Sequence, residues 1–76
     1  MNANKLPQQE SQRRLIRRKE VEKLTGLGRS CIYARMSRNE FPKAIPIGGR
    51  LVAWNSEEIQ KWIDDRITEA NMPTVV

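Results

Sequence analysis

The stretch Lys19-Glu20-Val21-Glu22-Lys23-Leu24-Thr25-Gly26-Leu27-Gly28-Arg29-Ser30-Cys31-Ile32-Tyr33-Ala34-Arg35-Met36-Ser37 decides the fold. Val21 and Leu24 lie three apart and mark one short helix. That helix must close near Thr25 and Gly26, because a glycine just past the last periodic residue adopts the left-handed conformation that ends a helix. Leu27 then packs back, and a second helix begins after Gly28, over Arg29–Ser37, with Ile32 and Met36 at i and i+4 giving one apolar stripe. Two short helices joined by a glycine-containing turn, here residues 26–28, make a helix-turn-helix, whose second helix enters a major groove with its N-terminus first. The same pattern also describes plain helical-hairpin packing, so the flanking sequence has to separate the two.

C-terminal to this unit, Phe41 precedes Pro42 and is pushed toward extended geometry, so residues 39–42 read as a loop. Ala44-Ile45-Pro46-Ile47, Gly48-Gly49 and Arg50-Leu51-Val52-Ala53-Trp54 read as a β-hairpin, with the paired glycines as its two-residue turn. Pro46 removes a ladder donor, which puts its strand at an edge. A two-stranded ribbon is marginal alone, and Leu15-Ile16 or the helices must support it. Asn55, with Glu58 three residues on, is an N-terminal capping arrangement that opens a third helix. On that helix Ile59, Trp62, Ile63 and Ile67 share one face, and Pro73 sets the latest stop. N-terminal to the unit, residues 1–12 hold Pro7, three Gln, two Asn and almost nothing apolar, a composition that cannot offset chain ordering. The expected organisation is a flexible tail over 1–12, one domain over 13–70 and a C-terminal tail over 71–76. The fold class that follows is mainly α with a small β-hairpin wing: a winged helix-turn-helix of three helices.

Composition narrows the chemistry. Seventy-six residues allow one small domain. Histidine is absent and cysteine occurs once, so one chain can assemble neither a Cys/His zinc site, nor a disulfide, nor a histidine-dependent triad. Glu57-Glu58 and Asp64-Asp65 are adjacent pairs, which point in different directions on a helix and make poor acid/base or metal constellations. The expectation is a protein that is not an enzyme and needs no cofactor or metal. No apolar run approaches the roughly 18 residues of a membrane span, and Met1-Asn2-Ala3-Asn4-Lys5 is no secretory signal, so a cytoplasmic site with a reduced thiol is expected. Cys31 itself reads as a small buried or half-buried packing residue.

Charge is segregated. Residues 13–50 carry eleven bases against three acids, a net of +8, whereas residues 57–70 carry a net of −3. This asymmetry fits a basic face for a polyanion and an acidic end turned away from it. Arg29 and Ser30 occupy the first turn of the second helix, where base edges are reached, and a guanidinium can bridge guanine O6 and N7. Ser30 has a plain alternative as a cap. One turn on, Tyr33 and Ala34 share their face. The Tyr33 ring can fill the core while its hydroxyl meets a phosphate, and Ala34 either meets a thymine methyl or is simply small. Arg35 and Arg38 flank the face and reach phosphates, which fix register without reading sequence. Lys43 and Arg50 bracket the hairpin, with Arg50 at the wing tip. Arg17 and Arg18 belong to a basic run with Arg13, Arg14 and Lys19 that is either solvated surface or a further phosphate contact. Trp54 and Trp62 are assigned to the core.

In order and spacing, Arg14-Leu15-Ile16-Arg17, Glu20-Val21, Leu24-Thr25-Gly26-Leu27, Arg29-Ser30, Ile32-Tyr33, Phe41-Pro42-Lys43, Gly48-Gly49-Arg50, Trp54 and Glu58-Ile59-Gln60-Lys61-Trp62-Ile63 resemble the AlpA family of phage-type transcriptional regulators. These are winged-helix relatives of the excisionases and of the DNA-binding heads of MerR-type regulators. The resemblance covers residues 13–67. It implies a small double-stranded-DNA-binding protein of a prophage, acting at an integrase promoter or directing excisive recombination, with an integrase or RNA polymerase as further partner and cooperative copies on DNA. The sequence departs from the family pattern at Gly28, where serine often starts the second helix, and at Cys31, where threonine is common. A rival reading is a protein-interaction module that inhibits or recruits a regulator or an integrase. RNA binding is weaker, since Tyr33 and Phe41 are the only aromatics besides the tryptophans and the ribbon offers no stacking pair.

Overall fold

The computed structural model describes residues 13–71, in the order β1 (Leu15–Ile16), α1 (Arg18–Thr25), α2 (Arg29–Ser37), β2 (Ile45–Gly48), β3 (Leu51–Asn55) and α3 (Ser56–Asn71). It is a three-helix unit with a small antiparallel sheet whose hairpin is the wing. Most of the expected tail residues, 1–12 and 72–76, lie outside the described residues.

Gly26 sits at φ +77°, and its N–H donates to the Glu22 carbonyl at 2.8 Å to close α1. Thr25 reinforces the stop: its hydroxyl donates to the Val21 carbonyl at 2.8 Å and accepts the Leu27 N–H at 3.1 Å. The chain therefore leaves α1 on a fixed heading, Leu27 packs against the core, and α2 starts from an extended Gly28 that offers no side-chain cap. At the far end of α2, Asn39 adopts φ +61°, which asparagine tolerates better than most residues, and the Asn39 and Glu40 N–H groups bond back to the Met36 and Arg35 carbonyls.

The sheet order is β1-β3-β2, both pairings antiparallel. Leu15–Ile16 thus supplies the neighbour the hairpin requires, and the pairing continues past it through Ser56 N–H to the Arg14 carbonyl and Arg14 N–H to Ser56 Oγ, both 2.8 Å. Pro46 lies on the edge strand, where its missing donor costs no ladder bond. The turn is one residue later than the sequence suggests. Pro46 pairs with Val52 but Gly48 with Leu51, so Ile47 and Gly48 together oppose one residue in a bulge. Gly48 at φ +130° absorbs the bulge, Gly49 at φ +54° turns the chain, and Arg50 stands in the turn itself.

Ile16, Val21, Ile32, Phe41, Trp54 and Ile59 form the core, with Leu27, Met36, Val52, Trp62 and Ile63 packed around it. Both indoles also tie down the loop after α2: Trp54 Nε1 donates to the Pro42 carbonyl at 3.1 Å and Trp62 Nε1 to the Glu40 carbonyl at 3.0 Å, while the Phe41 ring meets Trp62 edge-on at 4.9 Å. Asn55 caps α3 as expected, its Oδ1 accepting the Glu57 N–H at 2.8 Å. Three expectations fail. Leu24 is 45% exposed because Leu27, from the turn, supplies the second contact of that stripe. Ile67 is 54% exposed because it lies about 12 Å along α3 from Ile59, past the end of the core. Cys31 is exposed, since a helical step of about 100° from Ile32 carries it off the buried side.

Candidate nucleic-acid interface

Nine residues make α2, and only Ile32 is fully buried, with Met36 packed beside it. Helical periodicity places Ser30, Cys31, Ala34 and Ser37 on the opposite side, and all four are exposed. The outward face is therefore made of short, uncharged side chains, which let a helix backbone approach a surface closely. Cys31 and Ser37 belong to that face although the sequence reading left them out. The same arithmetic that assigns Ile32 and Met36 to the core would have found them.

Arg29 and Tyr33 occupy one flank. The Tyr33 ring meets the buried Trp54 edge-on, centroids 6.4 Å apart at 66°, and is 39% exposed, so it leans on the core without entering it. The Arg29 guanidinium lies 5.9 Å from the Tyr33 centroid. Arg35 takes the other flank, half-buried, its guanidinium 5.8 Å from the Trp62 centroid, with Arg66 at 5.0 Å from the same ring. Arg38 is exposed and pairs with Glu40 at 3.1 Å. Arg18 is half-buried and pairs with Glu22 at 2.9 Å, whereas Arg17 is exposed at the position preceding α1 and has no acidic partner among the described residues. The Arg38 pair is a surface contact of about 0–1 kcal/mol, which a phosphate can readily replace.

Lys43 is exposed beside a shallow cleft of about 410 Å³ lined by Tyr33, Met36, Ser37 and Ala44. The cleft joins the C-terminal half of α2 to the root of β2, so helix and wing are neighbours. Arg50 is exposed at the wing tip, again without an acidic partner among the described residues. By contrast the cations of α3 are engaged locally, Lys61 with Asp65 at 3.0 Å and Arg66 with Glu69 at 2.7 Å. Among the described residues no group of three or more His, Cys, Asp or Glu could hold a metal ion, and no helix is long and apolar enough to cross a membrane.

The family model described as prophage CP4-57 regulatory protein (AlpA) matches residues 14–67. This chain belongs to the AlpA family. The matched span starts just before β1 and ends within α3, so it takes in both helices of the helix-turn-helix and the whole wing. A family relative, the uncharacterized protein ORF88 of Enterobacteria phage P4, is 42% identical over 57 residues, which are 75% of this chain and 65% of that protein. The chain thus spans about two-thirds of the relative's length.

Proposed function

We propose that this AlpA-family protein is a prophage regulator that binds double-stranded DNA, with α2 in a major groove and the β2–β3 wing alongside. The observation that carries the reading is the cationic strip around a bare helix face: Arg29 and the acid-free Lys43 and Arg50 surround Ser30 and Ala34, and the cleft between α2 and β2 makes them one surface. Membership of a family named for a prophage regulatory protein supports it independently. In this reading Arg29, Ser30, Tyr33 and Ala34 meet base edges or the groove wall, and Arg50 reaches the flanking minor groove. Arg17, Arg18, Arg35, Arg38 and Lys43 serve the phosphates. A single copy buries only about 600–1,000 Å² on DNA. Side-by-side copies, or an integrase or RNA polymerase held at the site, supply the remaining affinity. The regulated step is transcription of an integrase gene or the direction of excisive recombination.

Footprinting of the purified protein across its neighbouring genes and the ends of the element that encodes it tests the reading. Protection of discrete sites that is lost in the Arg29→Ala, Arg50→Ala double variant supports it. If that variant binds no DNA yet keeps its regulatory effect in the cell, the protein acts through another protein and the DNA reading is wrong.

A further inference from the structure

We propose that the Tyr33 ring aims the Arg29 guanidinium, which makes Tyr33 a positioning residue and the Arg29–Tyr33 pair the element of α2 that discriminates a guanine. The inference rests on the reading of α2 as the groove-facing helix and adds what that helix reads and how.

Three groups stand in a row. Trp54 is fully buried and fixed by its indole bond to the Pro42 carbonyl. Tyr33 leans edge-on against it, and Arg29, one turn earlier on the same helix, lies over the outer part of that row at 5.9 Å from the tyrosine centroid. An exposed arginine ordinarily loses much rotamer freedom when it settles on a base, and a ring braced against the core removes part of that loss beforehand. A carboxylate would restrain the guanidinium equally well, but it would occupy the N–H fork and place a negative charge against DNA. An aromatic ring engages the flat face of the cation and leaves all five N–H donors free at the edge.

The neighbours leave Arg29 without a competitor. Ser30, Cys31, Ala34 and Ser37 are too short to present two parallel donors, and the Ser37 hydroxyl already donates to the Ala34 carbonyl at 2.9 Å. Arg35 is held at Trp62 and Arg38 at Glu40. Only Arg29 can address guanine O6 and N7 together. The Tyr33 hydroxyl makes no hydrogen bond among the described residues, so the positioning resides in the ring.

Selection from a random-sequence duplex pool tests this with the wild-type protein and the variants Arg29→Ala, Arg29→Lys, Tyr33→Phe and Tyr33→Leu, each first checked by thermal melting. Wild type and Tyr33→Phe are expected to enrich one shared guanine and to discriminate against its replacement by roughly 5- to 150-fold. Arg29→Ala, Arg29→Lys and Tyr33→Leu should lose most of that preference at the same base pair and keep the rest of the motif, and Arg29→Ala combined with Tyr33→Leu should be no worse there than Arg29→Ala alone. If Tyr33→Leu fails to fold, Tyr33→Met keeps apolar bulk against Trp54 without a π face. In wild type, 7-deazaguanine at the enriched position, which removes N7, should weaken binding, and in the Tyr33→Leu or Tyr33→Met protein it should not. A Tyr33→Leu or Tyr33→Met protein that keeps the guanine preference, or a wild-type motif with no guanine sensitive to Arg29, overturns the inference and leaves DNA binding standing. A wild-type protein that binds no duplex at low salt overturns the DNA reading and this inference with it.

Discussion

The helices α2 and α3 solve opposite problems. On α3 the exposed polar side chains satisfy one another, Lys61 with Asp65, Arg66 with Glu69 and Gln60 with Asp64, along sixteen residues opened by an Asn55 cap. On α2 no side chain caps the start, the outward face is short and neutral, and the cations Arg29 and Arg35 rest on aromatic rings instead of carboxylates. Pairs like those on α3 contribute about 0.2–0.5 kcal/mol each to a helix, and α2 forgoes them. It is held instead by its surroundings: Gly26 and Thr25 before it, Asn39 after it, and two indole bonds that fix the following loop. A helix maintained from outside, with its own face left clear, is built to meet something else.

Removing the outside support should have the largest effect. Trp54→Ala deletes a fully buried ring together with its bond to the Pro42 carbonyl, and should cost about 3–5 kcal/mol in chemical denaturation. In a domain this small that approaches total stability, so α2 should melt with the rest. A truncated Trp54 that leaves the melting curve in place would show that α2 stands by its own contacts.

The next effect lies on the clear face. Arg29→Ala should leave the thermal midpoint unchanged, because no ion pair or buried contact is lost, while weakening specific duplex binding by about 1–3 kcal/mol in a fluorescence titration. The matching change on α3, Lys61→Ala, should leave binding where it was. Equal losses from the two would erase the contrast between the helices. The electrostatic part of the contrast is read from salt: with about four to six phosphates neutralised, log K against log salt should fall with a slope of about −4 to −5, and Arg50→Ala should flatten it by about 1. A slope near zero would mean that the cationic strip is solvated surface.

Smaller again are the helix boundaries. Gly26→Ala places a Cβ at φ +77°, a conformation that costs an L-residue about 1–2 kcal/mol. Gly28→Ser should go the other way: the site is extended and open, with nothing within 4 Å of a Cβ, and a serine cap should stabilise α2 by a few tenths of a kcal/mol. A destabilised Gly28→Ser would mean that α2 needs its uncapped start.

Much of this arrangement is legible in the sequence, because periodicity and glycine act locally. Arg29–Ser37, the stop at Gly26 and the cap at Asn55 each follow from a few neighbouring residues. What is not legible depends on contacts far along the chain. The shift of the turn to Gly49 and Arg50 comes from a bulge set by pairing with Leu51 and Val52. The exposure of Leu24 depends on Leu27 taking its place, and that of Ile67 on where the core ends. The tryptophans were readable as core, but their N–H partners, twelve and twenty-two residues away at Pro42 and Glu40, were not. At the interface the residue types were legible, whereas the engagement of Arg18, Arg35 and Arg38 within the protein required coordinates.

Titrating duplex DNA that carries the footprinted site into isotope-labelled protein, and following every backbone amide by NMR, compares the two helices directly. The account predicts shifts concentrated on Arg29–Ser37 and on residues 48–51, with the amides of Lys61, Asp64 and Glu69 unmoved. Shifts centred on α3, with α2 and the wing tip silent, would contradict it.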